Sequence, residues 1–330
     1  MNTPSLTPTL GRRQALALAV GVALLPLPAM AAYPDKPLRL IVPFPPGGAA
    51  DVIARGMANR LATELGQQVI IENRGGAGGV TAVELAAKAA PDGYTLLLGT
   101  VGTHAINSAL YPKLRYDPIK DFAPITLTHS LPRVLVAGPS IKVQTVAELI
   151  AMAKSKPGAL TFGSAGNGST SHLSGALFES MAGVDMLHIP YKGSAPLLND
   201  LLGGLVDTTF DSLTVYEAHI KSGKVKALAV TSSTRMTALP DVPTLSESGL
   251  AGYDVSNWLG VLAPAGTPRD IIMRLNAALT RANADPASRL QLQSQGIEPT
   301  SSTPEELAAQ IRNDLPKWAT IVRKTGARVE

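Results

Sequence analysis

The chain has 330 residues, of which 45% are hydrophobic and 16% charged, with 30 glycines, 26 prolines and no cysteine. This composition excludes a disordered chain, and no repeat with a period of about 20–50 residues marks a solenoid or propeller, so about two globular domains are expected. The absence of cysteine excludes a disulfide scaffold, a thiolate nucleophile and any thiolate-held metal, and the formal net charge of +4 is small.

Residues 1–31 read as a secretory signal peptide. Arg12 and Arg13 precede an apolar stretch from Ala15 to Leu27, and Ala29-Met30-Ala31 has the small-x-small form of a cleavage site. A membrane anchor is the other reading, but the stretch falls short of the ~20 residues a span needs, and Pro26 and Pro28 end it. Cleavage near Ala31 leaves 27 basic against 25 acidic residues, too scattered a surplus for nucleic acid or an anionic membrane. Gly11-Arg12-Arg13-Gln14 is also compatible with twin-arginine export.

Beyond the leader, strand-length apolar runs alternate with helical periods. Leu38 to Phe44 reads as a strand, and Ile53, Met57, Leu61 and Leu65 then repeat every fourth residue, which places them on one helix face. A strand over Val69 to Ile71, a helix over Val80 to Ala89 and a strand over Tyr94 to Leu98 complete a β-α-β-α-β order, which implies a parallel sheet with right-handed crossovers. The alternation restarts with strands at Val134 to Ala137, Leu160 to Phe162, Asp185 to Ile189, Asp207 to Phe210 and Val225 to Val230. Helices are expected from Thr145 to Lys154, with Thr145 and Glu148 as a capping box, and near 170–181, 195–202 and 213–221. From Pro268 the tail is helical, with Thr267-Pro268 and Thr303-Pro304 as helix starts. No flexible linker separates the two units, so extended strands should cross between them.

Two strand-to-helix turns stand out, because open α/β sheets bind ligands beyond the carboxyl ends of their strands. In Val42-Pro43-Phe44-Pro45-Pro46-Gly47-Gly48-Ala49-Ala50-Asp51, the glycines permit close backbone approach and the helix start favours an anion. The same residues also suit a plain tight turn with Asp51 as a helix-start charge. The second turn, Gly163-Ser164-Ala165-Gly166-Asn167-Gly168-Ser169-Thr170-Ser171-His172, packs glycines among hydroxyl side chains. Neither turn contains Lys or Arg, so an anion there would be held by neutral donors and water. Tyr191-Lys192-Gly193 follows another strand; Lys192 is either a ligand contact or a solvated loop lysine. No nucleophile elbow, His-Glu-x-x-His or Gly-x-x-x-x-Gly-Lys occurs, and His104, His129, His172, His188 and His219 include no i,i+4 pair, so neither a catalytic centre nor a metal site is expected.

Several segments together resemble the Bug family, the TctC-like extracytoplasmic solute receptors of tripartite tricarboxylate transporters. They are the leader, Tyr33-Pro34-Asp35-Lys36-Pro37, Ile41 to Asp51, Glu72 to Gly79, Pro91-Asp92-Gly93-Tyr94-Thr95-Leu96, the turn ending at His172, and Tyr191-Lys192-Gly193 through Gly203-Gly204. The resemblance covers nearly all of the chain after the leader. It implies an α/β type II periplasmic-binding-protein fold, with two lobes, a central cleft and crossing hinge strands. Lobe 1 would comprise 32–133 plus 256–330, and lobe 2 134–255. It further implies capture of a small organic carboxylate without a cofactor or metal, by a monomer in the periplasm that delivers to membrane permease subunits. Carried over residue by residue, Phe44, Gly47, Gly48 and Asp51 form one wall and Ser164, Gly168, Ser169 and Thr170 the other, with His172, Tyr191 and Lys192 beside them. Two other classes fit less of the sequence: an exported α/β hydrolase or transferase using Asp51 or His172, and a ligand-sensing module for a membrane receptor.

Overall fold

The computed structural model describes residues 33–325 apart from Gly48, Pro112 and Gly168. The leader read over 1–31 lies outside the described residues. Strand β1 (Leu38–Val42) leads into helix α1 (Ala49–Leu65), β2 (Val69–Asn73), α2 (Val80–Ala87) and β3 (Thr95–Thr100), and β1 pairs in parallel with both β2 and β3. The four-residue spacing in α1 has the expected result: Ile53, Met57 and Leu61 are buried against the sheet, and burial of side chains of this size stabilises by about 1.5–3 kcal/mol each.

A π-helical turn (Gly102–Ile106) and α3 (Asn107–Leu110) precede β4 (Phe122–Ala137), the longest strand. The second alternation follows as α4 (Val146–Ser155), β5 (Thr161–Ser164), α5 (Thr170–Ala182), β6 (Leu187–Pro190), α6 (Ser194–Leu202), β7 (Thr208–Ser212), α7 (Leu213–Lys221) and β8 (Lys226–Val230). Strand β9 (Ser256–Pro264) returns the chain to the first sheet, and α8 (Arg269–Asn283), α9 (Pro286–Ser294), β10 (Glu298–Pro299) and α10 (Pro304–Thr325) complete it.

The strand order is β2-β1-β3-β9-β4 in one half and β6-β5-β7-β4-β8 in the other, the same pattern twice. Each half is an α/β lobe, and β4 belongs to both. Its first part pairs with β9 from Phe122↔Pro264 to Pro132↔Ser256; from Arg133↔Ser212 onward it pairs with β7 instead. The prolines of β4 sit where this ladder allows them. Pro124 lies at a register shift and Pro132 at the last pair before the change of partner, positions that tolerate a missing N–H. The chain crosses between lobes a second time near Thr231. Its Oγ1 accepts from Arg133 N (2.8 Å) and donates to Val255 O (2.7 Å), while its N–H donates to Arg133 O (2.9 Å) and its carbonyl accepts from Val255 N (2.8 Å).

Thr145 caps α4 through Glu148 N (3.2 Å), and Thr303 and Glu306 form a reciprocal capping box at the start of α10 (3.2 and 2.8 Å). Thr267 does not cap α8: its hydroxyl donates to Pro264 O (2.8 Å), and the helix begins after Pro268. The first half of β4 and all of β9 had no counterpart among the strands read from sequence.

Helix α5 packs on β5 through Gly175, where an added Cβ would stand 2.3 Å from the Phe162 ring. Both residues are buried, so the ring has nowhere to retreat. Gly175→Val is expected to destabilise the protein by about 1–3 kcal/mol or more. A lower urea midpoint with an unchanged slope is the check; an unchanged midpoint would refute this packing.

Candidate functional site

The first turn is held by a network that converges on Asp51. This residue, in the first turn of α1, is only 3% exposed. Its carboxylate accepts from Gly47 N (2.8 Å), Arg55 Nε (3.0 Å) and Asn73 Nδ2 (2.9 Å). The Arg55 guanidinium, followed by the Gly47 amide and the Asn73 amide group, holds the carboxyl at about 2, against burial acting the other way. Asn73 also donates to Phe44 O (3.1 Å), so one side chain ties the start of the turn to its end. Beneath the turn lies the glycine-rich segment after β2. An added Cβ on Gly75 would lie 3.0 Å from the Pro45 ring, and one on Gly79 would lie 2.9 Å from Pro43, so the two turns approach as closely as backbone permits.

The second turn is also closed by its own hydrogen bonds. Ser164 is fully buried; its Oγ lies 2.6 Å from His188 Nε2 and accepts from Gly166 N (3.2 Å). Ser169 is the N-cap of α5, accepting from His172 N (3.3 Å) while donating to Gly166 O (2.6 Å), and Ser171 accepts from Ala165 N (2.9 Å). These serines fix the turn's shape. Thr170 is half-buried, and its hydroxyl has no partner among the described residues. His172 lies under the turn, its ring stacked on that of His188 with centroids 3.9 Å apart and planes 2° from parallel, and Phe162 stacks on His188 at 4.8 Å. Burial, and secondarily His172, pulls His188 down to about 4; burial also lowers His172. Tyr191 donates its hydroxyl to Asp200 (2.8 Å) and is pushed up to about 12 by burial and that carboxylate. Lys192 is exposed and has no ion pair among the described residues. Gly48 and Gly168 lie outside the described residues.

Beside the first turn, at the carboxyl ends of β1 and β3, a cavity of about 490 Å³ opens onto the crossing strands. Phe44, Pro45, Pro46, Ala50, Leu131 and Leu259 supply its apolar lining, and Thr100 and Asn257 its polar lining. Thr100 is 4% exposed, and its Oγ1 accepts from Thr103 N (3.1 Å). Asn257 is half-buried, and its carboxamide has no partner among the described residues. Of the residues expected from sequence, Phe44 lines this cavity, Gly47 and Asp51 brace the turn beside it, and the described lobe 2 residues gather at the ends of β5 and β6. Asn257 and Leu131 were missed because each is one ordinary residue in a strand whose partner strand lies far along the chain.

A twice-repeated sheet order, crossing strands and a cavity at the strands' carboxyl ends define a two-lobed solute-binding protein. Family comparison agrees: residues 53–327 match the tripartite tricarboxylate transporter family receptor, TctC. The chain belongs to that family of solute-binding receptors. It is 40% identical over 299 residues to protein BugT of Bordetella pertussis, covering 90% of this chain and 92% of the relative. Among solved structures, an R. palustris protein with adipate is 36% identical with a TM-score of 0.71, covering 90% of this chain and all of that one. MatC from Rhodopseudomonas palustris with bound malate is 37% identical with a TM-score of 0.67, covering 88% of this chain and all of that one.

Two outcomes follow from these networks. Asp51→Asn weakens a charge-assisted acceptor of the Gly47 amide, so exchange of that amide should quicken by about tenfold, matching a loss of about 1–2 kcal/mol, as measured by hydrogen exchange. The stacked histidines give a pH dependence. His188 binds its proton at 6.5 when unfolded and near 4 when folded, so its contribution is full above 6.5 and lost as the pH falls toward 4. Urea midpoints should decline across that window, and less steeply for His188→Gln; equal slopes would refute the assignment.

Proposed function

We propose that this chain is a periplasmic receptor that captures a small organic carboxylate between its lobes and carries out no chemistry on it. The leader over 1–31 is removed, and the lobes divide into 32–133 with 256–330, and 134–255. The ligand shifts an open-to-closed equilibrium about the crossing strands, and permease subunits read the closed form of the monomer. The observation that carries this reading is the placement of an internally braced turn at the carboxyl edge of the sheet in each lobe. The adipate and malate held by two relatives make a carboxylate the natural ligand class.

In this reading Phe44, Thr170 and Lys192 meet the ligand, and Gly48 and Gly168 contribute backbone amides. Gly47, Asp51, Ser164, Ser169, His172 and Tyr191 hold these groups in place. The enzyme alternative loses support from the same geometry. Asp51, held at about 2 by its donors, is a poor base at neutral pH, and His172 is packed beneath its turn with its basicity lowered by burial.

Native mass spectrometry of the purified protein is expected to reveal a carboxylic acid that survives isolation. With that acid, Thr170→Val should weaken binding by about 2–10-fold through loss of one hydroxyl donor. Raising salt from about 50 to about 500 mM should cost less than about threefold, because neutral donors dominate. Turnover of esters or amides that Asp51→Asn abolishes would overturn the reading, as would a steep salt dependence.

A further inference from the structure

The cavity beside the first turn says more about the ligand than its carboxylate. Six of its lining residues are apolar: Phe44, Pro45, Pro46, Ala50, Leu131 and Leu259. Among the described residues its polar lining is Thr100, whose hydroxyl already serves the Thr103 amide, and Asn257, whose carboxamide is unengaged. No Lys, Arg or His is among these lining residues.

Each feature constrains what can sit there. A second carboxylate against this wall would lose its water and find no cation in return, and several hydroxyl groups would find only one amide. An apolar body, by contrast, is favoured by the contact, and the volume of about 490 Å³ accommodates a ring or a short alkyl chain. A carboxamide offers both a donor and an acceptor, so it suits an uncharged polar group such as a hydroxyl or carbonyl.

Building on the carboxylate reading above, we propose that the ligand is a monocarboxylate with an apolar body, and that Asn257 is the specificity-determining side chain that reads one uncharged polar group on that body. Asn257 is well placed for this. It pairs with Leu131 across the last rungs of the β4–β9 ladder, next to the point where β4 changes partner, so a ligand that engages it touches the crossing strands directly.

Titration calorimetry of the mature protein with phenylacetate, 4-hydroxyphenylacetate and malate tests this. Phenylacetate is expected to bind at least about tenfold more tightly than malate, and the hydroxyl of 4-hydroxyphenylacetate to add about threefold. Asn257→Leu should abolish that threefold gain, read as the ratio of 4-hydroxyphenylacetate to phenylacetate affinity within the variant; the preference for phenylacetate over malate is read on the wild-type chain and needs no variant. Tighter binding of malate would overturn the proposal and leave the carboxylate reading standing. Equal gains from the hydroxyl in wild type and Asn257→Leu would remove Asn257 from its role. If none of the three acids, and no other carboxylate in a broad panel, binds, the carboxylate reading itself fails and the proposal falls with it.

Discussion

The structure depends on one constraint: β4 hydrogen-bonds into both halves of the molecule. It leaves β9 at Pro132 and takes up β7 at Arg133, so neither sheet exists without the strand that completes the other. Thr231 ties this crossing to the second one by bonding both the N–H and the carbonyl of Arg133 and of Val255. Beside it, Arg133 and the buried Asp211 form an ion pair at 3.6 Å, and burial lowers the basicity of Arg133. Such a pair adds little net stability against its desolvation cost, but loss of one partner strands the other charge, which favours a single arrangement at the crossing. Leu131 and Asn257 lie one or two residues from these crossings and also line the cavity, so the strands that join the lobes are themselves part of the cavity wall.

The C-terminal helix adds a second tie. Trp258 of β9 donates its indole N–H to Asp314 of α10 (2.7 Å), and Tyr253, ahead of β9, donates to Ser174 O of α5 (2.8 Å). Trp318, Ile321 and Val322 of α10 share one hydrophobic cluster with Phe162, Phe178 and Phe210 of the second lobe and with Ile41 and Leu97 of the first. A dense core resists continuous deformation, so this shared cluster joins the C-terminal helix to both halves of the molecule.

How much of this was legible in the sequence follows from which forces are local. Helix α1, the capping boxes of α4 and α10, and the two glycine-rich turns were readable because periodicity, caps and φ-permissive residues act within a few positions. The first half of β4 and β9 were not. Pro124, Pro132 and Gly260 argue against a strand locally, and only the distant partner, with register shifts that accommodate the prolines, makes one. The serine turn was legible as a strand-to-helix turn but not in its workings. Composition shows hydroxyl groups without showing where they point, and Ser164, Ser169 and Ser171 point back into the turn. Asp51 is similar: a helix-start acid by position, it is a clasp because Asn73 reaches it from β2. Asn257 carries no local signal, since its meaning comes from Leu131 across the ladder and Phe44 beside the cavity.

That inward-pointing chemistry bears on the proposed capture of an anion by mostly neutral groups. With Lys192 the one cation among the proposed contacts, affinity depends mainly on donors already standing in the right geometry, because any ordering required on binding subtracts from a modest gain. In the first turn, Asp51 and Asn73 fix Gly47 and the Phe44 carbonyl; in the second, Ser169 fixes Gly166 and the start of α5, and the stacked His188 fixes Ser164. Charge and hydroxyl groups are thus largely directed at the protein's own backbone, leaving few polar atoms free to face a solute. Thr170 and Asn257 are two of those few, one in each lobe, and in the proposed reading they set a sparse polar requirement that an apolar wall then sharpens. A ligand rich in polar groups would leave most of them unanswered.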